Sequence, residues 1–189
     1  MNNNTRKIAG IGILTAIVIV LQIISTNIKL GPFSITLALM PIIIGAALYG
    51  PKTGAWLGFV FGCVTLLDSG AFMAVSIPGT IFTCLAKGTL AGLVSGLVYS
   101  VISKTNRVAA IVAAAVICPI VNTGVFVLCC FLFFMDTIQG WAGSTNAITF
   151  IFVSMIGLNF LVELGVNLAL STIVERILSI IIPRKEQLA

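Results

Sequence analysis

Long apolar segments, separated by short polar or basic turns, make up most of the chain. A helix needs about 20 mostly apolar residues to cross the hydrocarbon core of a bilayer, and a slightly shorter one can cross if the bilayer thins. The pattern therefore predicts an all-α integral membrane protein with six transmembrane helices, forming a single domain over residues 1–189. The predicted spans are residues 8–28, 35–50, 53–67, 80–102, 108–135 and 148–182.

Details of this pattern predict local structure. The second segment is short and contains Pro41, which is expected to kink the helix because proline removes a backbone hydrogen bond. Residues 68–79 are predicted to form a longer, less regular link, and residues 136–145 a polar loop. Trp141, in the second of these links, is expected to be an anchor at the membrane interface.

Glycines recur once per helical turn in two neighbouring segments. Small residues at this spacing let the backbones of two membrane helices approach closely. We therefore expect the third and fourth spans to pack as a close hairpin. The glycines are Gly54, Gly58 and Gly62 in the third span, and Gly88, Gly92 and Gly96 in the fourth.

Composition narrows the functional classes. Hydrophobic residues make up 59% of the chain and charged residues 8%, which leaves no room for a separate nucleotide-binding domain. No phosphate-binding Gly-x-x-x-x-Gly-Lys-Ser/Thr loop is present, and the absence of histidine removes zinc-protease and Ser-His-Asp chemistry. The five cysteines form no Cys-x-x-Cys pair and are expected to be mostly small buried hydrophobes. We therefore expect no enzyme, no cofactor and no metal site.

The net charge of +5 is interpreted as a signal of topology and not of nucleic-acid binding. If both termini are cytoplasmic, Lys29 alone among the basic residues lies outside and Lys87 lies within a span. The basic N-terminus followed by an apolar run is expected to be a retained first span. The basic residues placed inside are Arg6, Lys7, Lys52, Lys104, Arg107, Arg176, Arg184 and Lys185.

Polar side chains at similar depths in three spans suggest a site. Lys87 lies roughly 12 Å below the outer start of its span, at about 1.5 Å per residue. Asn122, Asn159 and Glu163 fall near the middle of the last two spans, and ionisable residues inside a membrane usually mark function. A ligand site and a dry structural network in which Lys87 neutralises Glu163 both remain open, as does a Lys87 that reaches to an interface.

Two stretches carry a family resemblance. GPFSITLALMPIIIGAALYGPKTGAWLGFVFG and PGTIFTCLAKGTLAGLVSGLVY resemble the substrate-binding S component of energy-coupling factor (ECF) vitamin transporters. The resemblance implies a multi-pass protein of a prokaryotic plasma membrane that binds a vitamin outside. It also implies docking, through the first helix, onto a transmembrane coupling protein that sits on two cytoplasmic ATPases. The family's Ala-x-x-x-Ala docking motif corresponds here to Gly12-x-x-x-Ala16, with Ala9 one turn earlier.

The resemblance also implies a ligand between the outer ends of the last three helices and the loops after the first and third. Those loops contain Phe33 and Phe72. Pantothenate is favoured because one lysine with asparagines suits a hydroxylated carboxylate, and because few tryptophans and tyrosines are available for stacking. Riboflavin, folate or another B vitamin are the other ligands considered. The alternatives are a membrane scaffold or assembly subunit without transport activity, and a small ion-coupled carrier that uses Glu163.

Overall fold

The structure, a computed structural model, describes residues 3–27, 29–30, 33–34 and 36–181. At residues 3, 29, 30, 33, 34, 155, 158, 159 and 177–181 it describes the backbone only. Nine α-helices within the described residues are joined by one 3₁₀ turn (Leu66–Asp68), two π-helical segments (Cys130–Phe134 and Phe150–Gly157) and short links. The helices are α1 (Asn3–Asn27), α2 (Leu39–Tyr49), α3 (Pro51–Thr65), α4 (Gly70–Met73), α5 (Ile77–Ile102), α6 (Arg107–Cys129), α7 (Met135–Ala142), α8 (Ala147–Thr149) and α9 (Leu158–Ile181). Two short strands, β1 (Lys29–Leu30) and β2 (Phe33–Ser34), pair antiparallel with Lys29 opposite Ser34.

Among the described residues, three helical stretches are long and apolar enough to cross a membrane, judged by length and composition. They are α1, α5 and the continuous helical run from Arg107 to Ala142. Helix α2 has 11 residues, a rise of about 16 Å, which is about half of the hydrocarbon core. The number of six spans and the side on which the termini lie stay predictions.

Helix α2 begins later than the hydrophobic pattern suggests, and this changes the role of its proline. Because the helix starts at Leu39, Pro41 lies in the first turn, where a backbone N–H has no intrahelical partner to lose. The predicted kink at Pro41 is therefore wrong. The real change of direction comes at Gly50, whose φ of 94° is accessible to glycine, between the end of α2 and the start of α3.

The predicted loop at residues 136–145 is also wrong, because most of it is helix α7. Ile138 and Ala142 are one turn apart and buried, while Asp136 and Gln139 face outward. This short amphipathic helix covers one end of the bundle. The link before α5 holds the 3₁₀ turn and α4, and Ser76 caps α5 by accepting a 3.2 Å hydrogen bond from the Gly79 N–H.

Helix α5 is central to the bundle, packing on α3 along one side and on α6 along the other. Helix α9 packs on α6, while α1 and α2 pack against α3. The main core joins α2, α3 and α6 through residues such as Leu39, Ile42, Leu57, Phe61 and Ile111. A smaller apolar cluster around Phe134, Ile138 and Ile151 lies at the end of the bundle covered by α7.

The contact between α3 and α5 is made by backbone, and we call it the glycine seam. A methyl group added to Gly58 would overlap the carbonyl oxygen of Gly88, and one added to Gly54 would overlap that of Gly92. At the seam's two ends Gly62 faces Cys84, and Gly96 faces Pro51. The structure thus places the two glycine ladders of the sequence against each other.

Candidate functional site

A cavity of about 430 Å³ lies at the end of the bundle where α1 and α3 end and α5 and α9 begin. Seven of the described α-helices contribute to its wall, and five of them do so through Gln22 (α1), Phe61 (α3), Lys87 (α5), Asn122 (α6) and Glu163 (α9). The basic residues Arg6 and Lys7 lie at the opposite end of α1, beside Leu48 and Tyr49 of α2. The cavity and this basic end are therefore separated by most of the length of α1.

Aromatic rings form much of the cavity wall. Phe72, on α4, makes edge-to-face contacts with Phe126, Phe134 and Trp141, with ring centroids 5.8, 5.0 and 5.5 Å apart. The expectation of few tryptophans and tyrosines for stacking leaves out the phenylalanines, which supply most of the aromatic surface of this wall. Trp141 lies on α7 and not in a loop, and it contributes to the cavity wall; its role as an interface anchor stays a prediction. The lining rings are Phe61, Phe72, Phe126, Phe134, Trp141, Phe150 and Phe160.

Lys87 is half-buried and faces the cavity. Its ammonium nitrogen lies 5.9 Å from the centroid of the Phe61 ring and 5.4 Å from that of Phe126, which is the range of cation–π attraction. Since α5 begins at Ile77, Lys87 lies about 15 Å along the helix. The side chain is directed towards rings of α3 and α6, and the interpretation that it reaches to an interface is not supported.

Glu163 and Asn122 also line the cavity, with 5% and 6% of their surfaces exposed. The carboxyl group of Glu163 is close enough to interact with Lys87, Thr36 and Asn122. Nevertheless, Oε1 of Glu163 and Oδ1 of Asn122 have no hydrogen-bond partner. The structure therefore brings together three of the polar residues that the sequence singled out, and leaves acceptor oxygens open.

Gln22 and Thr36 line the cavity and were not predicted as site residues. Gln22 is 2% exposed, and its Oε1 also has no partner. An amide that interrupts the apolar run of the first span is the signal that could have found it, by the same reasoning that selected Asn122. Thr36 has no comparable signal, because it lies outside the helices, shortly before α2.

Three hydroxyl groups in the cavity wall are already satisfied by their own helices or by the preceding turn. Thr65 donates to the carbonyl of Phe61 (2.8 Å), Thr80 to that of Ser76 (2.8 Å) and Thr83 to that of Gly79 (2.7 Å). These hydroxyls gain little from a ligand, in contrast to the open oxygens of Gln22, Asn122 and Glu163.

The two π-helical segments shape one wall of the cavity. Phe134 comes from the first segment, and Phe150 and Ile156 come from the second. Local π-helical turns are frequent at functional sites, because the wider turn redirects side chains. The hydrophobic pattern gives no sign of them, since they interrupt neither the apolar run nor the helical path.

The other predicted site residues divide between three places. Phe72 is in the cavity wall, while the side chains of Phe33 and Asn159 lie outside the described part of the chain. Ala9, Gly12 and Ala16 are exposed on α1, and Gly12 has open space around it. The predicted packing glycines form the glycine seam.

A helical bundle with long apolar helices, enclosing an apolar cavity with a few convergent polar groups, defines a membrane protein that binds a small molecule. The chain belongs to the family of substrate-specific components of ECF transporters, whose family model matches residues 6–175. The chain is thus a multi-pass membrane subunit that binds a substrate for transport, and it is not an enzyme. Comparison with curated proteins and with solved structures gave no match.

Proposed function

We propose that this protein captures a vitamin or a related small molecule in the cavity described above and delivers it through an ECF-type importer. The observation that carries the proposal is the convergence of Gln22, Lys87, Asn122 and Glu163, from four helices, in an aromatic cavity. A membrane scaffold would need no such cavity. An ion-coupled carrier would use Glu163, but the rings around that carboxylate fit an organic ligand better than an ion.

The cavity faces the outside in this proposal, and the chain lies in a prokaryotic plasma membrane with six spans and both termini in the cytoplasm. Charge supports this orientation, because Arg6 and Lys7 lie at the end of the bundle away from the cavity. Lys52, one residue after the Gly50–Pro51 turn, lies at the same end as Tyr49. A ligand would enter near α4, α7 and the segment before α2.

The ligand class follows from the cavity wall. Pantothenate suits Lys87 as a single cation, but it has no ring to pack against the aromatic side chains around Phe72. The aromatic wall favours a ring-bearing vitamin such as riboflavin over pantothenate.

Purification identifies the ligand most directly. The protein would be purified in mild detergent and denatured, and the released small molecules would be identified by mass spectrometry. Binding of a B-vitamin panel would then be measured by calorimetry. A folded protein that releases no small molecule and binds no member of the panel would contradict the proposed function.

Docking onto the transmembrane coupling protein, which sits on two cytoplasmic ATPases, is proposed to use the exposed α1 face of Ala9, Gly12 and Ala16. Small residues on a membrane helix let a second helix approach closely. We expect Gly12→Leu to abolish co-purification with the coupling protein and vitamin uptake, while ligand binding stays within about twofold because the site has open space.

Gly165→Leu is the matched control, since Gly165 is an exposed glycine on α9 that also has open space around it. This variant should retain both co-purification and uptake. Normal uptake by Gly12→Leu would contradict docking through this face, and loss of ligand binding in Gly12→Leu would show that its effect is on the fold.

A further inference from the structure

We propose that the ligand is a flat, uncharged heteroaromatic molecule whose N–H or O–H groups donate hydrogen bonds to three buried oxygens of the cavity. These oxygens are Gln22 Oε1, Asn122 Oδ1 and Glu163 Oε1. The inference rests on the proposed function, because it takes the cavity to be the ligand site, and it adds the chemical class of the ligand.

The first argument is the unsatisfied acceptors. The three oxygens come from α1, α6 and α9, and each belongs to a side chain that is at least nine-tenths buried and lines the cavity. A buried acceptor without a partner costs about 1–3 kcal/mol, and more when it is charged. Since Thr65, Thr80 and Thr83 already donate to their own helix or to Ser76, these hydroxyls do not supply the missing donors. A ligand with several donors would satisfy all three oxygens at once.

The second argument is charge. Among the described residues, the side chains in the cavity wall that carry acid or basic groups are Lys87, Glu163 and, at its exposed edge, Asp68. Lys87 interacts with Glu163 and lies over two rings, so its charge is already partly balanced. An anionic ligand would therefore be buried beside a carboxylate without a cation of its own, which is unfavourable. An uncharged ligand avoids this cost.

The third argument is shape. Edge and face contacts with aromatic rings favour a flat ring system in the ligand. The volume of about 430 Å³ lies within the range of about 300–1,000 Å³ that small-molecule sites occupy. A flat ring packed near Phe72 and Phe126 would share one cavity with the open oxygens on α6 and α9.

Calorimetry with six vitamins separates the charge classes. Riboflavin and pyridoxine are the uncharged ring-bearing probes, thiamine is the cationic probe, and pantothenate, biotin and folate are the anionic probes. We expect the tightest ligand to be one of the two uncharged probes, about 100-fold or more tighter than pantothenate. If thiamine or an anionic vitamin binds most tightly, the inference is wrong while the proposed function stands. If none binds to folded protein, the proposed function is wrong as well.

Substitutions of the three acceptor residues are tested by measuring the affinity of each variant for the tightest ligand. Gln22→Met and Asn122→Leu keep most of the volume and remove the oxygen, so each should weaken binding about three- to tenfold. Glu163→Gln, which removes a charged acceptor, should weaken binding tenfold or more. Ser171→Ala is the control, since Ser171 is a buried residue of α9 outside the cavity wall whose hydroxyl donates to the Leu168 carbonyl, and it should stay within about twofold.

An altered ligand supplies the reciprocal test. Methylation of the donor, the ring N–H of riboflavin or the ring O–H of pyridoxine, should cause a loss of affinity similar to that of the acceptor variants. The same methylation should cost much less in the variant whose acceptor is already missing, because the two changes remove one hydrogen bond. If the acceptor variants all bind like Ser171→Ala, or if methylation has no effect, the inference is overturned.

Discussion

Helices α3 and α5 meet each other in two different ways within a few residues. At the glycine seam their backbones touch, whereas beside it their side chains separate to form the cavity. The change occurs between adjacent residues: Gly62 and Gly88 face the seam, while Phe61 and Lys87 line the cavity. Consecutive residues of a helix point about 100° apart, so a rigid seam holds the cavity side chains in position. Rigidity in one region thus supports binding in the other.

The largest effect should come from filling the glycine seam. Gly58→Ala places a methyl group against the carbonyl of Gly88 and should cost about 1–3 kcal/mol of unfolding free energy, with Gly58→Leu costing more. Thermal unfolding in detergent measures this cost. Gly124→Ala, in α6, has open space and should be neutral or stabilise by about 0.5–1 kcal/mol. Equal stability of Gly58→Ala and Gly124→Ala would show that the seam is not tight.

A second effect, of intermediate size, tests whether the cavity charges support the fold. Lys87→Met leaves the carboxylate of Glu163 buried without its cation and should lower the unfolding free energy by about 1–3 kcal/mol. Adding Glu163→Gln removes the uncompensated charge, so the double variant should be more stable than Lys87→Met alone. Strict additivity of the two changes would show that Lys87 and Glu163 do not interact.

The smallest effect should come from reshaping the aromatic wall. Phe72→Leu keeps an apolar side chain and removes the ring that contacts Phe126, Phe134 and Trp141. We expect about a two- to tenfold loss of ligand affinity and little change in thermal stability. Phe82→Leu, at an exposed ring outside the cavity, is the control and should bind normally. Loss of stability without loss of affinity would place Phe72 in the core.

Parts of both the glycine seam and the cavity can be predicted from the sequence. The four-residue spacing of Gly54, Gly58 and Gly62 predicts the seam, because a small-residue face has few uses in a membrane helix other than close packing. Lys87, Asn122 and Glu163 could be selected as site residues because charge and amides are costly inside apolar spans. The glycine spacing and the polar residues within apolar spans can both be read from residue type and position in the sequence.

The remaining features depend on tertiary contacts. Phenylalanines such as Phe126 and Phe134 look like lipid-facing or core residues until the fold places them around one space. The helical character of α7 was missed because its polar residues dominate a short segment, although Ile138 and Ala142 are one turn apart. The position of Pro41 depends on where α2 starts, and no capping residue marks that start.

The four-residue register of the glycine seam has a further consequence for how this chain can change in length. One residue inserted into α3 between Gly54 and Gly62 would rotate the following glycine by about 100° and bring side chains against the carbonyls of α5. Insertions in the turn at residues 103–106 would leave that register intact. Homologues should therefore vary in length between α5 and α6 but keep a constant number of residues within α3 and within the facing part of α5.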